Sequence, residues 1–195
     1  VNGTQHVNAT VNMYVNLPHR FKGAHMSRFV EILNKYRGEI NIRTFQTILS
    51  TIRKKLAGES AYMEIHFPYF IEKKAPVSRS RSLMEYQCSF IGESSREETD
   101  FLVSLTVPVT TVCPCSKEIS DRGAHNQRAE VFASVRMNSL VWIEEIIEFV
   151  EKSSSAPIYS LLKREDEKYI TEHSYDNPRF VEDLSREVVL FLQED

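Results

Sequence analysis

The segment from Val109 to Arg128 carries the densest set of side chains that can do chemistry. It reads VTTVCPCSKEISDRGAHNQR and contains Cys113, Cys115 and His125. Thiolate sulfur and imidazole nitrogen are the ligands that zinc and similar divalent ions prefer. A Cys-x-Cys pair also fits two reduced cysteines in a loop, because structural zinc sites usually have Cys-x-x-Cys spacing and four ligands. A catalytic site would use fewer protein ligands and leave one position open for water.

Three further segments carry charged groups that suit a binding site. REDEKYITEHSYDN, at 164–177, is rich in carboxylates and is also typical of a solvated loop, which is the structure expected for it. KKAPVSRSR, at 73–81, suits phosphate binding through bidentate arginine contacts. HRFKGAHMSR, at 19–28, lies at a predicted strand-to-helix junction, where free N–H groups attract anions. The last two segments are also typical of ordinary surface loops.

Strict alternation of polar and apolar residues predicts the strands that must position these segments. It runs through 7–17 and returns in four later stretches, at 62–67, 84–90, 101–109 and 129–137. Such alternation means that each strand buries one face. It favours an antiparallel sheet with helices covering that face, an α+β fold.

Apolar residues at helical spacing predict the first two helices. One helix has its stripe between Met26 and Leu33 and is expected to stop near Gly38. The next is expected to begin with Thr44 as its cap and to end just before Gly58.

Two more helices are predicted in the second half of the chain. One carries its stripe over 140–150 and is expected to start after Asn138 or Ser139. The last is expected to start at Asn177-Pro178, with its buried stripe running from Val181 through Leu184 and Val188 to Phe191. Glu182 points away from this stripe and is expected to be exposed near the helix N-terminus.

The order of elements suggests two similar modules in tandem. The first is predicted to span 1–92 and the second 101–195, with the polar, acidic stretch 93–100 as the linker. The second module lacks the closing strands that the first one has, and the chain begins on a strand without an initiator Met. Both ends are therefore expected to be trimmed relative to a longer natural protein.

Composition excludes several classes of protein. The chain has 195 residues, 42% apolar and 26% charged, which is enough for a sizeable core and excludes intrinsic disorder. Its longest clean apolar run near the C-terminus, 188–192, is far shorter than the roughly 20 residues of a membrane span. No signal peptide pattern is present, and an odd count of 3 cysteines favours a reducing, cytoplasmic location. The net charge of -3 gives no reason to expect nucleic acid.

Four blocks of the sequence carry a family resemblance. The block PVTTVCPCSKEISDRGAHNQR closely resembles the signature of GTP cyclohydrolase IB, the second type of GTP cyclohydrolase I. The blocks KGAHMSRFVEIL, KAPVSRSRSLMEY and DEKYITEHSYDNPRFVEDL are similar to its other motifs. The four blocks occur in the family's order, and the similarity as a whole runs from about the first strand to the last helix, so the resemblance is highly specific.

The resemblance implies an architecture. Members have the tunnelling fold, in which modules of antiparallel strands and two helices assemble into a barrel. They carry two tandem modules per chain and form homotetramers with active sites at subunit interfaces. They usually continue, through further strands and a histidine-containing segment, past the point where this sequence ends.

The resemblance also implies a reaction and its residues. The family converts GTP and water into 7,8-dihydroneopterin triphosphate and formate, the first step of tetrahydrofolate biosynthesis. Carried over by motif, Cys113, His125 and Glu167 resemble the residues of the family's metal site. Cys113 looks like the metal-binding or reactive cysteine, His125 looks like a metal ligand or a proton-transfer group, and Glu167 looks like an acidic ligand. Glu182 resembles the glutamate that grips the purine or pterin ring. Cys115 belongs to the motif without an assigned role.

The implied chemistry suits these groups. A divalent ion lowers the pKa of bound water toward about 7, which provides a nucleophile for C8 of guanine. One thiolate with nitrogen and oxygen ligands suits zinc, iron or manganese. The triphosphate needs cations, and the candidates are Arg20, Lys22, Arg28, Arg79 and Arg81.

Three alternatives stay open at this stage. One is an archaeal-type cyclohydrolase that forms a cyclic-phosphate product. Another is the tunnelling-fold nitrile reductase of the queuosine pathway, although its Glu-Ser-Lys-Ser-type NADPH motif is absent where the strand reads AEVFASVRM. The third is a non-enzymatic binding module stapled by a metal, which would unfold when the metal is removed.

Overall fold

The computed structural model of the protein describes residues 5–21, 23–38, 40–136 and 141–193. An antiparallel sheet in the order β1-β2-β3-β4-β5 forms its centre, and a short strand β6 pairs with β4. The strands are Thr10–Asn16 (β1), Ser60–Lys74 (β2), Arg81–Ser94 (β3), Thr99–Val112 (β4), Asn126–Arg136 (β5) and Ala156–Pro157 (β6). The helices are Met26–Lys35 (α1), Ile42–Lys55 (α2), Pro114–Ile119 (α3), Ile143–Ser153 (α4), Arg164–Asp176 (α5) and Val181–Gln193 (α6).

One face of the sheet is buried under helices, as the alternation predicted. Ile65, Phe90 and Val103 lie side by side across β2, β3 and β4 and belong to one core with residues of α1, α2, α4 and α6. The opposite face mixes polar and apolar residues, and the Oγ atoms of Ser104 and Ser134 lie 2.8 Å apart there. The expected α+β class with helices on one face is therefore confirmed.

The predicted linker at 93–100 is a β-hairpin that joins the two halves of the sheet. Ser94 pairs with Thr99 across the turn, and the N–H of Ser95 donates to the carbonyl of Glu98 at 2.8 Å. Both halves of the chain therefore share one continuous sheet and one core. The assignment of 1–92 and 101–195 as two modules stays a prediction.

The cap of α2 differs from the expected one, whereas α1 and α2 end near Gly38 and Gly58 as expected. The cap of α2 is Asn41, because its Oδ1 accepts from the N–H groups of Arg43 and Thr44 at 2.9 and 3.1 Å. Thr44 completes a capping box by accepting the N–H of Asn41 on its Oγ1 at 3.0 Å. Helix α1 ends at Lys35, and Gly38 lies beyond it at a left-handed φ of +82°.

Helix α6 starts later than predicted because Asn177 has another role. Asn177 ends α5, and its Nδ2 donates to the carbonyls of Ser154 at 3.0 Å and Ser155 at 3.4 Å. The side chain therefore bonds to the backbone of Ser154 and Ser155 and does not cap α6, which begins at Val181. The buried apolar stripe of α6 is also shorter than predicted, since Val181, its first expected member, is 43% exposed. Its fully buried members are Leu184 and Val188.

The charged stretch that was expected to be a loop forms helix α5. Its buried residues are Asp166 and Ser174, so it packs against the protein without an apolar stripe. Helix α4 begins at Ile143, and the start predicted after Asn138 or Ser139 lies outside the described residues. None of the helices found in the described ranges is long and apolar enough to cross a membrane.

Candidate functional site

The connection between β4 and β5 brings Cys113 and His125 together. Val112 and Asn126 are the last paired residues of the two strands, and the next residue outward on each side belongs to the candidate site. The N–H of Cys113 donates to the carbonyl of His125 at 3.1 Å. The end of the strand ladder thus fixes the backbones of two predicted site residues next to each other.

Ser116 holds this connection closed. Its Oγ donates to the carbonyl of Cys113 at 3.0 Å and accepts the N–H of His125 at 3.1 Å. The chain returns through Gly123 at φ +75°, a left-handed conformation that favours glycine. Ser116 lies inside the motif, and nothing in its residue type or spacing distinguishes it there.

The surroundings of Cys113 favour its thiolate. Cys113 is half-buried directly before α3, and the backbone N–H of Ser116 beside the sulfur lowers the pKa of the thiol. Cys88 is the opposite case, because burial and the nearby Glu144 raise its pKa to about 12. Thiolates bind metals and react as nucleophiles, whereas buried thiols are inert. Cys113 and the exposed Cys115 therefore differ chemically from Cys88.

Asp166 fastens the first turn of α5 to the turn between β2 and β3. Its Oδ1 accepts the N–H groups of Val77 and Ser78, each at 2.9 Å. Its Oδ2 accepts the Ser78 hydroxyl at 2.6 Å and the N–H of Lys163 at 2.9 Å. Burial alone would raise the pKa of Asp166, but these hydrogen bonds outweigh it and hold the pKa below its ordinary value of 3.8. The sequence offered no signal for this role within a run of charged residues.

Glu167 follows Asp166 and is exposed on α5. In the described part of the single chain, no group of three or more His, Cys, Asp and Glu side chains could hold a metal ion. The convergence of Cys113, His125 and Glu167 on one ion therefore stays a prediction. Helix α5 is nevertheless linked to the cysteine motif, because Lys117 Nζ donates to the carbonyl of Tyr175 at 2.5 Å.

Two of the predicted phosphate-binding arginines flank the turn between β2 and β3. Arg79 is exposed and adopts a left-handed φ of +58° in that turn, next to the anchored Ser78. Arg81 is exposed as well, and its Nη1 lies 3.1 Å from Oε1 of Glu72. Arg79 is thus the arginine whose backbone the Asp166 contacts hold most directly.

The other predicted cations lie near α1. The guanidinium of Arg20 lies 5.3 Å from the centre of the Phe21 ring, and Arg28 Nη1 donates to the carbonyl of Lys55 at 3.1 Å. Both side chains are exposed. Lys22 lies outside the described residues.

Glu182 is exposed in the first turn of α6, as predicted. The chain leading into this helix is held against the end of β4, because the Oγ of Ser155 accepts the N–H groups of both Val112 and Arg179. The cysteine-bearing end of β4 and the start of α6 are therefore fastened to the same residue.

Comparison with known proteins gives the family. The family model described as type I GTP cyclohydrolase FolE2 matches residues 1–195. The GTP cyclohydrolase FolE2 of Syntrophus aciditrophicus is 63% identical over 193 residues, which cover 99% of this chain and 76% of that protein. The one of Kosmotoga olearia is 57% identical over 194 residues, which cover 100% of this chain and 75% of the relative.

A likeness to a solved structure is much weaker. Uricase from Arthrobacter globiformis superposes with a TM-score of 0.47 at 11% identity, over 90% of this chain and 77% of that one. The family is shown instead by the whole-length match of the model and by the high identity of relatives that the chain largely covers. On both grounds, the chain belongs to the type I GTP cyclohydrolase FolE2 family.

Proposed function

We propose that the protein is a GTP cyclohydrolase that hydrolyses GTP to 7,8-dihydroneopterin triphosphate and formate, the first step of tetrahydrofolate biosynthesis. The observation that carries this proposal is the family match over residues 1–195. The pairing of Cys113 with His125 at the ends of β4 and β5 supports it, since both residue types are metal ligands and His also transfers protons.

The metal that the family resemblance implies suits the residues present. Cys113 offers a thiol of lowered pKa, which favours the deprotonated form that metals require. With imidazole from His125 and carboxylate from Glu167, the donors are sulfur, nitrogen and oxygen, a set that suits zinc, iron or manganese. When bound, such an ion lowers the pKa of a water molecule, which supplies the nucleophile for C8.

The chain's own groups then handle protons and orientation. In the alternative role, in which His125 is not a ligand of the ion, this exposed side chain beside Cys113 protonates the ring nitrogen that leaves C8 as the imidazole ring of guanine opens. Glu182 accepts two hydrogen bonds from the N–H donors on the opposite edge of guanine, and a base without those donors would leave the carboxylate unpaired. Arg79 and Arg81 extend from the turn between β2 and β3 toward solvent and bind triphosphate oxygens.

The proposal includes assembly into a tunnelling-fold barrel, as a cytoplasmic homotetramer with site residues from more than one copy. In the described sheet, β1 and β5 are edge strands, each paired on one side. Edge strands offer unpaired N–H and C=O groups to another chain. Phe132 on β5 is 69% exposed and Tyr14 on β1 is 59% exposed, so both edges carry apolar side chains as well.

Assembly is tested by sedimentation of the wild-type protein and of Phe132→Lys. A charged lysine on the edge strand should block pairing, because lysine protects natural sheet edges from association. We expect a tetramer, or at least a dimer, for the wild type and a smaller species for the variant. A stable wild-type monomer with full turnover would overturn this part of the proposal.

The activity is tested by incubating the protein with GTP and zinc, iron or manganese in turn. Pterin fluorescence and release of formate are expected with GTP, and no reaction is expected with ATP. A metal-loaded protein that releases no formate from GTP would contradict the proposal. Mass spectrometry of the product identifies a cyclic phosphate, and incubation with preQ0 and NADPH detects nitrile reduction.

A further inference from the structure

The hydroxyl of Ser155 lies at a junction inside the protein. The side chain is fully buried, and its Oγ accepts the N–H of Val112 at 3.0 Å and the N–H of Arg179 at 2.9 Å. The hydroxyl lies 3.4 Å from the carbonyl of Arg179, to which it donates. The backbone of Ser155 is also paired, since its N–H donates to the carbonyl of Thr110 at 3.1 Å.

Both partners of this hydroxyl lead directly into the candidate site. Val112 is the residue before Cys113, and Arg179 lies three residues before Glu182. The connection is reinforced by Asn177, whose Nδ2 donates to the carbonyl of Ser155. One hydroxyl therefore ties the strand end that carries the cysteine to the segment that starts α6.

The neighbouring serines lack this role. Ser153 and Ser154 are buried like Ser155, but the hydroxyl of Ser153 donates to the carbonyl of Phe149 at 3.0 Å. The hydroxyl of Ser154 donates to the carbonyl of Glu151 at 2.7 Å. Both bonds stay within the last turns of α4. The three serines thus have similar burial but different connections.

We propose that Ser155 is a positioning residue of the cyclohydrolase reaction, which fixes Cys113 relative to Glu182. This inference rests on the proposed function. Guanine is a rigid bicyclic ring, so the distance from C8 to the N–H donors on its far edge is fixed by covalent bonds. The groups that act on the two ends must be held at a matching separation, because the substrate cannot bend to follow them. Where both groups come from one chain, Ser155 sets their separation directly. Where they come from two copies, it fixes each group against the body of its own chain, so loss of the hydroxyl displaces both groups in either case.

The physical reason lies in the two buried N–H groups. Alanine at this position would leave the N–H groups of Val112 and Arg179 without their acceptor, and a buried unsatisfied donor is costly. The chain relieves that cost by moving one or both segments toward another acceptor or toward water. A misplacement of about 1 Å in an active site can cost about 100-fold in rate.

The test compares Ser155→Ala with Ser154→Ala in the zinc-loaded protein. For Ser155→Ala we expect faster hydrogen exchange at the amides of both Val112 and Arg179. We also expect kcat/KM for GTP to fall about tenfold or more, with kcat lowered through Cys113 and KM raised through Glu182. Ser154→Ala should lower the thermal midpoint and keep kcat and KM within about twofold.

Each outcome decides the inference. Faster exchange at both amides with wild-type kcat/KM would overturn it, because the hydroxyl would then be structural only. If Ser155→Ala does not fold, Asn177→Ala loosens the same segment more gently and should lower kcat/KM about threefold. Wild-type turnover in that variant would overturn the inference as well.

A different measurement shows whether the proposed function itself is wrong. A wild-type protein that releases no formate from GTP would contradict the function itself. The positioning of Cys113 is then read from zinc affinity, measured by competition with a chelator. Weaker zinc binding in Ser155→Ala than in Ser154→Ala supports the placement of Cys113, and equal binding in the two variants overturns it.

Discussion

Asp166 and Ser78 are joined by two hydrogen bonds that connect α5 to the turn between β2 and β3. The N–H of Ser78 donates to Oδ1 at 2.9 Å, and its hydroxyl donates to Oδ2 at 2.6 Å. Glu167 follows Asp166 in the chain, and Arg79 follows Ser78. A buried contact of fixed geometry thus relates a predicted metal ligand to a predicted phosphate-binding arginine.

This contact predicts a pH dependence of stability. The pKa of Asp166 in the folded protein lies below its ordinary value of 3.8, so below that pH the unfolded chain binds a proton that the folded one excludes. The contribution is fully present above the ordinary pKa and is lost as the pH falls toward the folded value. We expect the thermal midpoint of the wild type to fall on acidification below about pH 4.

Asp166→Asn tests this assignment. The amide cannot ionise, and its NH2 group faces N–H donors, so this variant should be less stable at neutral pH and should lose the part of the acid dependence that belongs to Asp166. Glu165→Gln, an exposed change one position away, should retain the wild-type profile. Parallel acid profiles for the wild type and Asp166→Asn would show that another carboxylate is responsible.

A second prediction concerns the buried pair of Lys73 and Glu151. Lys73 Nζ and the hydroxyl of Tyr86 both donate to Oε1 of Glu151 at 2.7 Å, where the two charged side chains are 11% and 13% exposed. Removing one partner of a buried pair leaves the other charge uncompensated. Glu151→Gln should therefore lower the free energy of unfolding, measured in urea, by about 3 kcal/mol or more.

The matched control for this change lies on the same helix. Glu148 forms an i,i+4 pair with Lys152, but both of these side chains are exposed. Glu148→Gln should change the free energy of unfolding by about 0.5 kcal/mol or less, because solvent screens such pairs. Equal changes in the free energy of unfolding for the two variants would mean that the Lys73–Glu151 pair contributes no more to stability than the exposed pair.

A third prediction separates the cysteines by their reactivity in metal-free protein. Because the pKa of Cys113 is lowered, its alkylation should reach half its maximal rate at a lower pH in the folded protein than in the urea-unfolded chain. Cys88 should stay unmodified until the protein unfolds, since it is buried and its pKa is about 12. Mass spectrometry of the labelled peptides resolves both sites. Added zinc should protect Cys113, and rapid labelling in its presence would argue against a thiolate ligand.

The fold was predictable where burial is one-sided and apolar. Strands such as β2 and β5 alternate because one face of the sheet packs on helices, and this leaves a clear period in the sequence. Helix α5 leaves no such trace, since its buried residues are Asp166 and Ser174 and its packing depends on hydrogen bonds. The predicted start of α6 was wrong for a related reason. Asn177 donates to distant carbonyls instead of capping the helix.

The candidate site was predictable to the extent that it is local in sequence. Cys113 and His125 lie in one motif, and their contact follows from the pairing of two adjacent strands. Ser155 lies in a run of three consecutive serines, and the residue type alone does not tell one from another. Only the tertiary structure distinguishes them, because the acceptor role of Ser155 depends on N–H groups 43 and 24 residues away. The set of metal ligands is still a prediction, since Glu167 lies on α5, and within the described residues of one chain it forms no metal-binding group with Cys113 and His125.

The last prediction concerns Glu182, whose exposure in α6 fits two different roles. As an ordinary surface carboxylate, it would tolerate Glu182→Gln with a change in unfolding free energy of about 0.5 kcal/mol or less and with normal turnover. If Glu182 binds guanine instead, Glu182→Gln should change the free energy of unfolding just as little, because this side chain adds little to the core. The two roles therefore differ in catalysis and not in folding.

The expected loss of activity follows from the hydrogen bonds between guanine and the charged carboxylate of Glu182, which the substitution removes. Hydrogen bonds to a charged group are worth about 1.5–3 kcal/mol, and glutamine replaces one acceptor oxygen by an NH2 group that opposes a guanine donor. At subsaturating GTP, kcat/KM should fall at least about tenfold. Glu172→Gln, another exposed glutamate, on α5, should keep wild-type turnover. Near-normal kcat/KM in Glu182→Gln would mean that a different residue recognises the purine.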